Sequence, residues 1–430
     1  MPARTLVALF ASAALLLGGC AQAAPEASTS PRTIDVPGDA DTIQAAVDQA
    51  RPGDRIEVAA GVYEESVAIS TPEIVLHGTD RDGVVIDGGG LRPNGIVVTA
   101  PGVAVENLTV RDHTLNGVLV TGLTEDGGLA RGSDGYTRLD PDEYPPLQGF
   151  AVRYVTASNN GLYGIYAFDA QHGVIEENYA SGHADSGIYV GQCLECDIVV
   201  RSNVAESNAV GYEQTNASAP VTVVQNRFTG NRVGASILSD YQEAFVPQSG
   251  TTFAGNLVSD NARAETPEEA NGAFGIGVAI SGGQDDLLLR NLVSGHPTAG
   301  VMIGSSEDIP PDRNRLEANV LDRNVLDLAY TASERAPGAG LCATGDTITT
   351  TSPSGLLTGW DCAAGGSPRA AGVAITGAAA PAGIPFTDVV APPPQPSMPS
   401  DADPGIAVPE IDLEAIGVPG DDLLLDRTAR

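Results

Sequence analysis

An asparagine returns about every 25 residues in one local setting, and this recurrence limits the possible folds more than any other feature. It stands at Asn107 in VENLTV, Asn178 in IEENYA, Asn203 in VRSNVA, Asn226 in VQNRFT, Asn256 in FAGNLV, Asn291 in LLRNLV and Asn319 in LEANVL. Five residues after most of these comes a second polar turn residue: Asp112, His183, Asn208, Asn231, Asn261, His296 and Asn324. A glycine-led apolar stretch usually follows, as in NGVLV, YGIYA, SGIYV, VGASI and AGVMI. One turn residue repeated at a near-constant period predicts a stack of equivalent coils, since stacked asparagines can satisfy turn amides that burial would otherwise orphan. A β-sandwich also uses short strands, but it has no reason to repeat one turn residue. Function in such a stack sits on one lateral face or on loops inserted between coils.

The remaining composition fits many short strands. Apolar residues come in runs of four to six, punctuated by 51 glycines and 30 prolines. The 55 carboxylates face 22 basic residues, all of them arginine, for a net charge of −33. That charge disfavours nucleic acid as a partner, because nothing neutralises phosphates. It also disfavours bare polyanionic polysaccharides unless a cation mediates. At the N-terminus Arg4 precedes an apolar run, Leu6 to Leu17, which ends in Leu17-Gly18-Gly19-Cys20. This reads as an export signal, too short to span a membrane. The ending resembles a bacterial lipobox, in which Cys20 would become the lipidated first residue of the mature chain. Setting Cys20 aside leaves two local pairs, Cys193 with Cys196 and Cys342 with Cys362, expected as disulfides outside the cytosol. A redox pair or half of a zinc site is the alternative for Cys193-x-x-Cys196, although neither a helix N-terminus nor further ligands are visible.

The organisation follows. Residues 1–19 are the signal and 20–38 a flexible tether; 39–362 form the stack and 363–430 a Pro/Ala/Gly-rich tail, extended or disordered. Ile43, Ala46, Val47 and Ala50 lie on one face of a short helix that would plug the open end, with Asp41 and Gln44 as a capping box. The segment DTIQAAVDQARPGDRIEVAAGVYEESVAI, followed by the asparagine-turn coils, resembles the right-handed parallel β-helix proteins of the pectate-lyase-like superfamily. It is closest in appearance to the exported bacterial β-helix-domain proteins related to carbohydrate-binding and sugar-hydrolysing β-helices. The resemblance implies an all-β, right-handed single-stranded parallel β-helix with a short N-terminal capping helix. Its members include lyases, hydrolases, epimerases, esterases and proteins without chemistry, so it implies no single activity. Insertions at 123–148, 241–252 and 262–273 interrupt the period, and the strands fade after about Tyr330.

Alternation in the glycine-led strands predicts which side chains point outward. The outward sets are Leu119/Thr121, Tyr166/Phe168, Tyr189/Gly191, Glu213/Thr215, Ser236/Leu238, Ala279/Ser281 and Met302/Gly304. Tyr166, Phe168 and Tyr189 would form an exposed aromatic patch able to stack on sugars; alternatively the 123–148 insertion folds over them as a satellite core. Just past the strands come Asp169 with Gln171 and His172, then Gln192, Asn216 and Asp240. Asp169, His172 and Glu213 are the candidate acid/base residues, and Tyr166, Phe168, Tyr189, Gln192, Asn216 and Asp240 the candidate substrate contacts. Ordinary turn polarity is the competing reading. Phe168-Asp169-Ala170-Gln171-His172 is loosely similar to the Asp-Pro-His-Asp site of periplasmic mannuronan epimerases. It departs at the second and third positions and lacks the last acid, so that activity is not carried over. Arg153, Arg201 and Arg232 could supply a lyase base, yet a lyase on polyuronate would need a cationic or Ca²⁺-filled groove. The five histidines show no metal-ligand spacing, and His183 and His296 read as turn spacers. No cofactor is expected beyond Ca²⁺ held by carboxylates. The expectation is a monomeric lipoprotein on the outer face of the bacterial membrane that binds and processes a glycan as a hydrolase or epimerase; a non-catalytic glycan-binding or envelope scaffold is the alternative.

Overall fold

The computed structural model describes residues 30–125, 128–130, 140–268, 272–400, 402 and 405–429, so Cys20 and the signal lie outside the described residues. Three parallel sheets of 12, 10 and 11 strands run the length of the stack. Here they are called A, B and C in the order each coil visits them. Sheet A runs from Thr33–Val36 to Cys342–Thr344, sheet B from Gly61–Tyr63 to Val320–Asp322, and sheet C from Val67–Ile69 to Thr351–Ser352. Ten full coils each contribute one strand to each sheet and then climb one rung, with partial coils at both ends, which makes the chain a right-handed parallel β-helix. Pairing already begins at Thr33, which pairs with Arg55, so Thr33–Val36 belongs to the stack and not to a tether. At the other end the strands continue past Tyr330, through Cys342–Thr344 and Thr351–Ser352.

The helix Ile43–Gln49 buries Ile43, Ala46 and Val47 against the first coils. Its cap differs from the expected Asp41–Gln44 box. Thr42 Oγ1 accepts from Ala45 N at 3.1 Å, and the Glu65 carboxylate accepts from Ile43 N and Gln44 N at 3.0 Å. A carboxylate at a helix N-terminus satisfies orphan amides and complements the helix dipole.

At the A–B corner Asn178, Asn203, Asn226, Asn256, Asn291 and Asn319 form one continuous ladder. Each Nδ2 donates to the Oδ1 of the next at 2.9–3.1 Å, and the ladder ends on Asp346. The B–C corner carries the second column, in which His113, Asn160, His183, Asn208, Asn231, Asn261, His296 and Asn324 are linked in order. His113, not Asp112, occupies that column. His183 and His296 are buried turn spacers, and burial lowers their pKa to about 3 and about 4, keeping both rings neutral. Inside, aliphatic rows are joined by the stacked rings of Tyr212, Phe228 and Phe253, with centroids 5.8 and 6.1 Å apart. Both expected disulfides are formed, Cys193–Cys196 and Cys342–Cys362.

The C-terminal segment is extended but not loose. It runs back along the stack from Ala332, which accepts from Gly372 N, past Thr298, Asn159 and Asp82 to Asn107, whose Oδ1 accepts from Met398 N at 2.7 Å. It then touches Arg290 through the carbonyls of Leu413 and Ile416, and ends with Arg427 buried against Glu177 and Ser202. Prolines make this order cheap, because an extended polyproline segment loses little entropy on docking.

Candidate functional site

Sheet C presents its outward face in rows one rung apart. Leu119, Tyr166, Tyr189, Glu213, Ser236, Ala279 and Met302 share one row. Alternation therefore assigned their direction correctly, but direction is not exposure. Tyr166 and Phe168 are each 1% exposed and Tyr189 4%, packed with Leu119 and Tyr163 under Leu123, Ala130 and Tyr144. The rings touch at centroid distances of 4.5–5.2 Å. The expected open aromatic patch is thus a satellite core, since several adjacent rings gain more by mutual burial than by facing water.

The next position along is a left-handed turn, with φ of 55° at Asp169, 49° at Gln192 and 43° at Asn216. Asp169 is fully buried, and neither of its carboxylate oxygens has a hydrogen-bond partner among the described residues. Burial alone pushes its pKa up to about 7. Its carbonyl clasps the two ends of the insertion, accepting from Gly122 N and Leu147 N at 3.0 Å. Gln192 Oε1 accepts from Ala244 N at 3.0 Å, while Asn216 Nδ2 donates to the carbonyls of Asp240 and Glu243 at 2.5 and 3.2 Å. Gln192 and Asn216 are buried, so they hold the 239–250 loop instead of lining an open groove. Asp240 sits one residue past the column, because Leu238 pairs with Thr215 and Ser239 takes the turn position.

That loop brings in a residue missing from the sequence-based candidates. Glu243 is 5% exposed and reaches back so that Tyr189 Oη donates to its Oε1, while its Oε2 has no partner among the described residues. It lies over Gly191, where a Cβ would meet Oε2 at 3.2 Å. Burial, and then the charges of Glu213 and Asp240, raise the Glu243 pKa well above the usual carboxylate range. Glu213 is half-buried on the adjacent strand and accepts from Ser186 Oγ, which also donates to Asp185 Oδ1 at 3.1 Å. Burial and the neighbouring Asp185 push Glu213 up to about 8. The site therefore holds Asp185, Glu213, Asp240 and Glu243, with Ser186 and Tyr189 as donors.

The proposed trio does not converge. Glu213 is two rungs from Tyr166, about 10 Å, and Asp169 lies three residues further along the chain, too far apart for one reacting centre. His172 is exposed on the sheet A side, where its Nδ1 meets Asp197 Oδ2 at 2.9 Å. The arginines considered for a lyase are also engaged. Arg153 and Arg201 both pair with Glu176, at 2.6 and 2.5 Å, and Arg232 Nη2 donates to Pro381 O at 2.7 Å. A separate cleft of about 680 Å³ lies at the C–A corner, lined by Leu194, Phe245, Val246, Pro247, Asp285 and Arg313 among others.

The model for the right-handed β-helix region matches residues 94–249. No curated protein matches the sequence. Among solved structures the chain is similar to an Azotobacter vinelandii mannuronan C-5 epimerase A-module, at 15% identity over 72% of this chain and 86% of that one, with a TM-score of 0.47. It is also similar to the Dettilon tailspike protein (12% identity, 75% of this chain and 69% of that one, TM-score 0.48) and to pectate lyase Pel9A (11%, 75% and 78%, TM-score 0.41). These identities carry no site residue across.

Proposed function

We propose that this chain is an exported lipoprotein, acylated at Cys20, whose β-helix binds a glycan along the open part of sheet C. The observation behind this reading is the half-buried strip Glu213, Ser236, Leu238, Ser281 and Met302, which begins where the covered aromatic core ends. Hydroxyl, carboxyl and apolar groups alternate there on a rigid sheet, a mixture suited to the polar edges and apolar faces of sugar rings. Nucleic acid has no place on a surface of this charge. A screen of the full chain against immobilised glycans tests the reading, and no binding to any glycan would end it. Labelling with a fatty-acid analogue tests the anchor; Cys20→Ala should lose the label and appear in the medium.

Hydrolysis is a second reading, favoured by one observation. With its pKa near 8, Glu213 keeps its proton at neutral pH and could deliver it to a leaving oxygen, with a second carboxylate of the site as its partner. Product analysis on a bound glycan decides this: Glu213→Gln should remove shortened products, and their absence from the unaltered chain leaves a binding protein.

A further inference from the structure

Several buried carboxylates elsewhere in this chain are matched with arginine. Glu106 lies within 3.8 Å of Arg55 and Arg153, Glu176 bridges Arg153 and Arg201, and Asp312 meets Arg369 at 2.9 Å. The Glu213 site, like buried Asp169, has no such arginine. The charged groups that raise Glu213 are Asp185 and Asp240, those that raise Glu243 are Glu213 and Asp240, and no guanidinium is among them. Tyr189 and Ser186 supply one hydroxyl each, and the buried Oε2 of Glu243 is left with no partner among the described residues. Such an atom costs free energy unless a donor arrives.

A cation with several donors would meet that need. Among the described residues no three carboxylate, imidazole or thiol groups converge with metal-ligand spacing, so the site is not shaped for a coordinated ion. A primary ammonium suits it better: a compact point charge with three donors, entering on the side where Glu213 is half-exposed. We propose that the glycan taken by this site is an amino sugar polymer, and that Glu213 and Glu243 receive a free protonated amine. This inference rests on the glycan-binding reading above and adds the substrate class. In the empty site Glu213, pushed up to about 8, holds its proton at pH 6.5. When the ammonium docks, a carboxylic acid becomes a carboxylate paired with it, and the released proton passes to buffer.

The test is calorimetric titration of the full chain with a fully deacetylated glucosamine hexamer and with its N-acetylated counterpart, at pH 6.5. Two buffers of different ionisation enthalpy report proton release. The deacetylated hexamer should bind at least about tenfold tighter, a difference of about 1.4 kcal/mol, and release protons. Glu213→Gln and Glu243→Gln should each reduce that preference and the proton release. Glu64→Gln, far along the surface, should change neither. Near-ultraviolet circular dichroism and melting of each variant establish that it is folded, and either of the two is sufficient. Equal or tighter binding of the acetylated hexamer overturns the amine and leaves glycan binding standing. A preference that survives both substitutions in folded protein also overturns it, since it then reflects only the overall negative charge. If neither hexamer nor any arrayed glycan binds, the glycan reading falls first.

Discussion

Asp169 shows what burying an acid without a partner does to a chain's response to pH. Its pKa rises to about 7 in the folded chain, whereas an unfolded aspartate titrates near its ordinary value of 3.8. Between those values the unfolded chain has released a proton that the folded chain still holds. The stability contribution is therefore complete below about pH 4 and is lost as pH rises towards 7. Asp169→Asn removes this dependence. Plotted against pH, the stability of the variant relative to the unaltered chain should climb by up to about 1.4 kcal/mol per unit across that window and level off above it. Urea unfolding at several pH values measures this, and parallel profiles would show that Asp169 ionises freely. Asp169 was legible as a candidate because it directly follows an outward strand. Its burial was not, because that depends on how an aperiodic insertion folds. Glu243 was invisible for the same reason: it lies in a stretch without register, and only the folded loop brings it to Tyr189.

At the scale of elements, periodicity explains both what could be read and where reading stopped. The asparagine column gave fold, coil boundaries and the spacer role of His183, because each corner repeats one hydrogen-bond geometry. It misassigned Asp112, since the His113 coil turns one residue later, and nothing in a single coil reveals that slip. The ladder is also where a small substitution should cost most. Asn226 Nδ2 donates to Val200 O and Asn256 Oδ1, and its Oδ1 accepts from the amide and side chain of Asn203, all at 2.9–3.0 Å and all buried. Asn226→Ala leaves these groups without partners in a closed stack, which should cost about 3 kcal/mol. Asn107 stands outside the ladder, bonded to Gly78 O and to Met398 N of the C-terminal segment, so Asn107→Ala should cost less and act through that segment. Denaturant midpoints of the two variants compare them directly.

For the whole molecule, the C-terminal segment works as a strap, and a gap in the ladder explains where it docks. The coil between Asn107 and Asn178 has Val155 at the corner instead of an asparagine. Arg81 fills the space, fully buried, donating to Val155 O at 3.0 Å, to Thr156 Oγ1 at 2.9 Å and to Pro396 O of the strap at 3.1 Å. Further along, Arg227 and Arg290 donate to strap carbonyls, and Ile416 packs on Val224, Ala254 and Leu289. The end is fixed by Arg427, whose guanidinium donates to the carbonyls of Glu177, Asn178 and Ser202 and to the Glu177 carboxylate at 2.8–3.0 Å. A sequence rich in Ala, Gly and Pro carries no period to signal this, because most of the recognition uses its backbone and only isolated side chains such as Ile416 and Arg427. Hydrogen exchange read by mass spectrometry tests the strap. In the intact chain the amides of Ile384, Met398 and Ala429, which donate to Thr266, Asn107 and Glu206, should be protected. Arg427→Ala should ease opening of the final stretch by about 3 kcal/mol, roughly a hundredfold faster exchange at Ala429, while Ile384 stays protected. Exchange of all three amides at unfolded rates in the intact chain would mean that the strap does not dock in solution, and that Arg81 must find its donors' partners elsewhere.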